Sequence, residues 1–309
     1  MSEFDLIPRE RPASTSIFFI VVAALVGFIL IGPAIGLLFA APFMEGTLVD
    51  FLSKITPPLH HPELKTSLFI IQGCATFGLA ACPLLYWSVI EHRRVNDFFR
   101  YKTSALALVL TAMVVFFFIL PNTVLMEWNA NVVFPDFLKN FETWAKGREE
   151  NANELTTFLT TFGSTREFLV GFFVVAVLPG ISEELVFRGM LQPQLHRATN
   201  NVHVGIWLSA FLFSSLHMQF FGFVPRLFLG ALFGYLYYWS GNLIVPMMAH
   251  FINNGFSVIM LYLHQLGKID IDVESTEAAP WPAVISGTIL TFALLVYLKI
   301  LFERNRNPA

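Results

Sequence analysis

Residues 168–190 read FLVGFFVVAVLPGISEELVFRGM. The first half suits a lipid interior, yet Glu183, Glu184 and Arg188 follow it almost at once. Whether this run faces water or hydrocarbon decides the fold, and composition favours hydrocarbon. Of the 309 residues 55% are hydrophobic and 13% charged, about half the charge of an ordinary soluble domain. Phe, at 34, outnumbers Lys and Arg together, at 19. The formal net charge of -3 offers no basic footprint, which argues against nucleic acid as a partner.

Apolar runs recur at 16–43, 67–90, 104–126, 168–182, 201–221, 227–239, 243–263 and 281–298. Roughly 20 apolar residues cross the hydrocarbon core, so the shorter runs need flanking residues to complete a span. The expected fold is all-α, a polytopic membrane protein with about eight transmembrane helices. The first run is too long for a signal peptide, and Glu3 and Asp5 spoil a basic leader. With the N-terminus inside, the inner segments carry Arg9, Arg11, Arg93, Arg94, Arg100, Lys102, Arg197, Lys299, Arg304 and Arg306. The outer ones carry Asp270, Asp272, Glu274 and Glu277. That asymmetry follows the positive-inside tendency, although Lys139, Lys146, Arg148 and Arg166 run against it. Both termini are expected in the cytoplasm and the protein in the cell membrane.

The long polar insertion, 127–167, has Phe137, Leu138, Phe141, Trp144 and Ala145 at helical spacing. This is an amphipathic helix, either lying at the interface or packed on the bundle. Ser164 and Glu167 resemble a capping box that starts the next membrane helix. Cys74 and Cys82 lack CxxC spacing and read as buried free thiols.

Three polar groups interrupt the apolar second half. In the first, Glu184 and Arg188 stand i,i+4 with the acid N-terminal, the favourable order for a helical ion pair. Glu183 sits about 100° around the helix and is left free for chemistry. A charge at the centre of a membrane helix costs roughly 2.5–3.5 kcal/mol, so such groups point to function. Pro179-Gly180 is expected to kink or break the helix, with Ser182 capping a restart that sets both acids near a helix N-terminus. The second group runs from Phe213 to His217. The third runs from His250 to Asn254, which share a helix face. A carboxylate, two histidines and an asparagine on three helices are the parts of a water-activating site. Desolvation drives a glutamate toward general-base strength, and His and Asn can donate to an oxyanion. The same residues leave a second assembly open, a zinc-type divalent-metal site drawn from Glu183, His217 and His250. No HExxH is present.

These motifs resemble those of the CAAX prenyl endopeptidases and bacteriocin-processing proteins, the CPBP or Abi intramembrane proteases. EExxxR is Glu183 to Arg188, continued by Gly189; FxxxH is Phe213 to His217; HxxxN is His250 to Asn254. The linking text LFGYLYYWSGNLIVPMMAH is also similar, and the likeness covers about 168–262. It implies an intramembrane endopeptidase acting on membrane-associated or lipidated proteins or peptides. Glu183 would activate water with His217, His250 and Asn254 would stabilise the oxyanion, and Glu184 with Arg188 would brace the site. The implied divisions are N-terminal helices with the amphipathic insertion at 1–164, a catalytic core at 165–265 and a C-terminal helix at 266–309. A metal cofactor stays open. A non-catalytic scaffold or immunity protein on the same fold is the alternative, and a proton-coupled transporter is disfavoured by the lack of an internal repeat. On this reading Glu183 and His250 lie toward the inner face, while His217 lies on the order of 24 Å up its helix, out of their reach.

Overall fold

Gly27, Gly32 and Gly36 fix the first helix crossing. A Cβ added at Gly27 would stand 2.0 Å from the Gly78 carbonyl oxygen, and one at Gly36 2.7 Å from the Ile71 Cα. Small residues let two backbones approach within a membrane. A π-helical turn at Gly27–Ile31 keeps the first two glycines on one face. The partners are α1 (Ala13–Phe43) and α3 (Pro62–Ile90), separated by the short α2 (Leu48–Lys54). This computed structural model describes residues 11–55, 61–270 and 275–306; Glu3, Asp5, Arg9, Asp272 and Glu274, which entered the charge reading, lie outside them.

Beyond α3 come α4 (Ala105–Ala130), α5 (Lys139–Thr160), α6 (Thr165–Thr199), α7 (Val202–Leu216), α8 (Phe223–Ser240), α9 (Ile244–Gln265) and α10 (Trp281–Arg306). No strand is present among the described residues, and the fold is an all-α polytopic membrane protein. Six of these helices, α1, α3, α4, α6, α9 and α10, are long and apolar enough to cross a membrane. The two remaining apolar runs form α7 and α8, a shorter hairpin within the bundle. Exposed Phe18, Leu38, Phe77, Val109 and Phe292 supply the apolar exterior that lipid requires.

One end of the bundle gathers the arginines. Arg197 donates to the Arg11 carbonyl at 2.7 Å and Arg306 to the Tyr238 carbonyl at 2.6 Å. At the other end the amphipathic expectation is met by α5, which packs Ala145, Phe158 and Leu159 inward. It leaves Phe141 and Trp144 exposed, as is Phe137 in the turn before it. Ser164 caps α6 by accepting the Glu167 N–H at 3.2 Å, but the Glu167 carboxylate turns to the Gly163 N–H rather than closing the box.

Of the kink or break expected at Pro179-Gly180, the break does not occur: α6 runs unbroken from Thr165 to Thr199. A π-helical stretch, Phe173–Val177, precedes the proline, and Ser182 lies inside the helix, capping nothing. Membrane helices tolerate proline where a neighbour satisfies the freed carbonyl. Here Pro179 cannot bond Val175, and Asn254 Nδ2 donates to that carbonyl at 3.3 Å. Cys74 and Cys82 are free thiols but half-buried, because they border the glycine crossing instead of a side-chain core.

Candidate functional site

The continuous α6 also moves Glu183 from the inner face to mid-helix. From Glu183 to Thr199 is 16 residues, and from Val202 to His217 is 15, each roughly 23 Å at about 1.5 Å per residue. α6 and α7 form a hairpin about residues 200–201, so the two side chains reach the same height. The expected mismatch in depth came from ending the helix at 182. Rings across the hairpin confirm the register: Phe187 and Phe213 meet edge-on with centroids 5.3 Å apart.

Glu184 is fully buried and its Oε1 takes two donors, Arg188 Nη1 at 2.7 Å and His250 Nδ1 at 2.8 Å. Arg188, also fully buried, donates from Nη2 to the Gly230 carbonyl at 2.9 Å. Its guanidinium lies 4.6 Å from the Phe213 centroid and 5.5 Å from that of Phe233. Phe233 in turn stacks on the His250 ring at 5.2 Å. Aromatic faces favour a cation beside them, most where water is absent. The pair that spacing foresees therefore forms, but the third member on the same oxygen, His250, is not legible from i,i+4 arithmetic.

Glu183 is only part-buried, yet its Oε2 is sealed from solvent and has no hydrogen-bond partner. His217 Nδ1 sits 2.9 Å from the Phe213 carbonyl. A carbonyl only accepts, so Nδ1 carries the proton and the neutral ring keeps its Nε2 lone pair free. The Phe213 ring lies between the histidines, with centroids 5.2 Å from His217 and 5.8 Å from His250. Asn254 uses one amide hydrogen on Val175 and retains another. Glu184, Arg188 and His250 thus meet, with His217 across the Phe213 ring, Glu183 next in sequence to Glu184 on α6, and Asn254 one turn along the same helix as His250.

Among the described residues no three His, Cys, Asp or Glu side chains group closely enough to hold a metal ion. The Nδ1 contacts of both histidines leave Nε2 as the outward-facing atom of each ring.

The loop after His217 is pinned from outside. Glu149 of α5 accepts the Phe221 N–H at 3.1 Å, and Asn129 bridges the Phe220 carbonyl (3.1 Å) and the Val224 N–H (2.7 Å). Burial pushes the Glu149 carboxyl above its ordinary value of 4.5, opposed by the Phe221 N–H and the Arg226 guanidinium. An open cleft of about 500 Å³ lies alongside, lined by Lys146, Glu149, Glu150, Asn153, Glu154 and Phe221 among others. None of the motif residues lines it.

Residues 165–256, which hold all three motifs, match the family described as Type II CAAX prenyl endopeptidase Rce1-like. An uncharacterised protein, YpbD, of Bacillus subtilis is 34% identical over 109 residues, which are 33% of this chain and 53% of that protein. The membrane-embedded CAAX protease MroQ of Staphylococcus aureus is 31% identical over 104 residues, 32% of this chain and 42% of that protein. The chain thus spans about half the length of these relatives. No solved structure matches.

Proposed function

We propose that this protein is an intramembrane endopeptidase that hydrolyses a peptide bond in a membrane-associated or lipidated protein or peptide, as in CAAX-type processing, by glutamate-activated water. The observation that carries this reading is the division between adjacent acids. Both acids keep a sealed, unpartnered Oε2, but Glu184 is tied through Oε1 to Arg188 and His250, whereas Glu183 pairs with neither. The named relative MroQ and the Rce1-like match supply the reaction class.

Glu183 is the general base and takes the proton of a water whose other hydrogen points at the His217 Nε2 lone pair. The second Asn254 amide hydrogen stabilises the oxyanion. His250 does so when its Nε2 is protonated, since its Nδ1 proton is spent on Glu184. Glu184 and Arg188 brace this arrangement. Glu183 then returns the proton to the leaving amine. Both termini lie in the cytoplasm, where Arg93, Arg94, Arg197 and Arg304 gather, and α5 covers the outer end.

Cleavage of a lipidated peptide by purified protein in proteoliposomes tests the reading. Glu183→Ala should abolish cleavage while the thermal melt stays near that of the wild type. A Glu183→Ala protein that still cleaves overturns the assignment.

A further inference from the structure

α8 runs parallel to α6 with a fixed register. Arg188 bonds the Gly230 carbonyl and Gln192 Nε2 bonds that of Gly234 at 3.1 Å, each pair 42 residues apart. The same offset sets Arg226 beside Glu184, one turn before Gly230 and two before Phe233, on the face of α8 that meets the site. Arg226 belongs to none of the three motifs.

Its guanidinium is held at one nitrogen and idle at another. Nη2 donates to Gln219 Oε1 at 3.0 Å, and Gln219 Nε2 reaches Glu149 and Asn153 on α5, both at 3.4 Å. Nη1 is sealed from solvent without a hydrogen-bond partner. Glu183 and Arg226 feel each other's charge without forming an ion pair, and each keeps an unpartnered atom, Oε2 and Nη1, between which a substrate carbonyl would bind. A buried N–H left without an acceptor is costly, so its natural partner is an oxygen that becomes negative there.

We infer that Arg226 is a further catalytic residue, donating from Nη1 to the oxyanion of the tetrahedral intermediate. The inference rests on the hydrolytic reading above. Charge accounting supports it. As water attacks, its O–H bond breaks toward Glu183, its oxygen bonds the carbonyl carbon, and the carbonyl π pair moves onto the carbonyl oxygen. The negative charge leaves Glu183 and reappears on the oxyanion, so Arg226 faces one anion before and after the step. Arg226 also fills a shortage of donors. His250 donates only with a second proton, and one Asn254 hydrogen is committed to Val175, whereas a guanidinium is always charged. Gln219 and Glu149 are positioning residues that aim it.

The experiment compares wild type, Arg226→Gln, Arg226→Lys and Gln219→Ala in proteoliposomes. Cleavage of a lipidated peptide is measured beside affinity for a phosphonate analogue with a tetrahedral anion at the scissile position. Arg226→Gln should lower kcat by roughly 100- to 1,000-fold, with KM changed less than about threefold. Phosphonate affinity should fall in step with kcat/KM across the series, with Arg226→Lys and Gln219→Ala intermediate. A residue that only supports the fold would weaken substrate and phosphonate alike. Wild-type kcat in Arg226→Gln, or phosphonate affinity that does not track kcat/KM, overturns the inference. Should Arg226→Gln fail to fold, the Lys and Gln219 variants decide by the same correlation. Wild type and Glu183→Ala separate the claims: no cleavage by the wild type sinks the hydrolytic reading, residual cleavage in Glu183→Ala sinks the assignment of the base, and a dead Glu183→Ala with a fully active Arg226→Gln sinks only this inference.

Discussion

Replacing Arg188 by methionine removes a fully buried cation that satisfies three things at once: the Glu184 carboxylate at 2.7 Å, the Gly230 carbonyl at 2.9 Å and the Phe213 face at 4.6 Å. What remains is a buried carboxylate whose only partner is His250. Breaking such a pair from one side costs about 3–5 kcal/mol, because an uncompensated charge is left behind. At roughly 2–4 °C per kcal/mol for proteins approaching this size, the melt should fall by about 10 °C. Glu184→Leu should behave alike, since it strands the arginine. The double variant, Glu184→Leu with Arg188→Met, removes both charges and fills the space with apolar atoms, so it should recover to within about 1–2 kcal/mol of wild type. It should nevertheless stay inactive, because His250 has lost the oxygen that orients it. Fluorescence-monitored melting of the four detergent-purified proteins reads the coupling directly. Losses that simply add in the double variant would refute the account of the pair as one electrically neutral unit.

Three other outcomes follow from separate parts of the structure. Gly78→Ala should cost about 1–3 kcal/mol by overpacking, because its Cβ would stand 2.3 Å from the Gly27 carbonyl oxygen; an unchanged melt would contradict the close crossing of α1 and α3. The folded state holds the Glu149 proton more tightly than the unfolded chain, so stability should fall as pH rises from 4.5 through the raised value. Glu149→Gln should flatten that slope, and parallel melting-versus-pH curves for the two proteins would refute it. Cleavage by the purified protein should survive exhaustive chelation, since no three ligating side chains group together among the described residues; activity lost with chelator and regained with zinc would overturn the metal-free scheme.

Much of the site was legible because its contacts are local along one helix. The Glu184–Arg188 pair and the freedom of Glu183 are consequences of 100° per residue, and they need no neighbouring helix. What stayed hidden depends on register between helices. The His250–Glu184 bond spans 66 residues and the Asn254–Val175 bond 79, distances over which periodicity carries no information. Arg226 could have been noticed, since an arginine bordering an apolar run is a functional hypothesis in itself. It lies just outside the run 227–239 and went unread. The break expected at Pro179 failed for a related reason. Proline removes a donor and frees a carbonyl, but whether the helix survives depends on who satisfies that carbonyl, and the answer lies on α9.

That carbonyl also explains why α6 is π-helical just where the chemistry gathers. Phe173–Val177 widens the helix before Pro179, and Leu185–Leu191 widens it again after the two acids. Bonding i to i+5 puts more residues in each turn, so a side chain four positions on falls closer to directly above its partner than in an α-helix. Glu184 and Arg188 straddle the start of such a segment, where the tighter stacking suits an end-on bond of 2.7 Å. Each widening leaves backbone groups less regularly paired, a cost tolerable in a membrane only beside protein donors and acceptors. Asn254 serves the first segment and Ser209, whose hydroxyl donates to the Phe187 carbonyl at 2.9 Å, serves the second. The helices that supply chemistry therefore also repair the distortion that positions it. Asn254→Ala should in consequence lose stability as well as turnover, about 1 kcal/mol for the lost bond to a part-buried carbonyl, and a variant with a wild-type melt would separate the two roles that the structure joins.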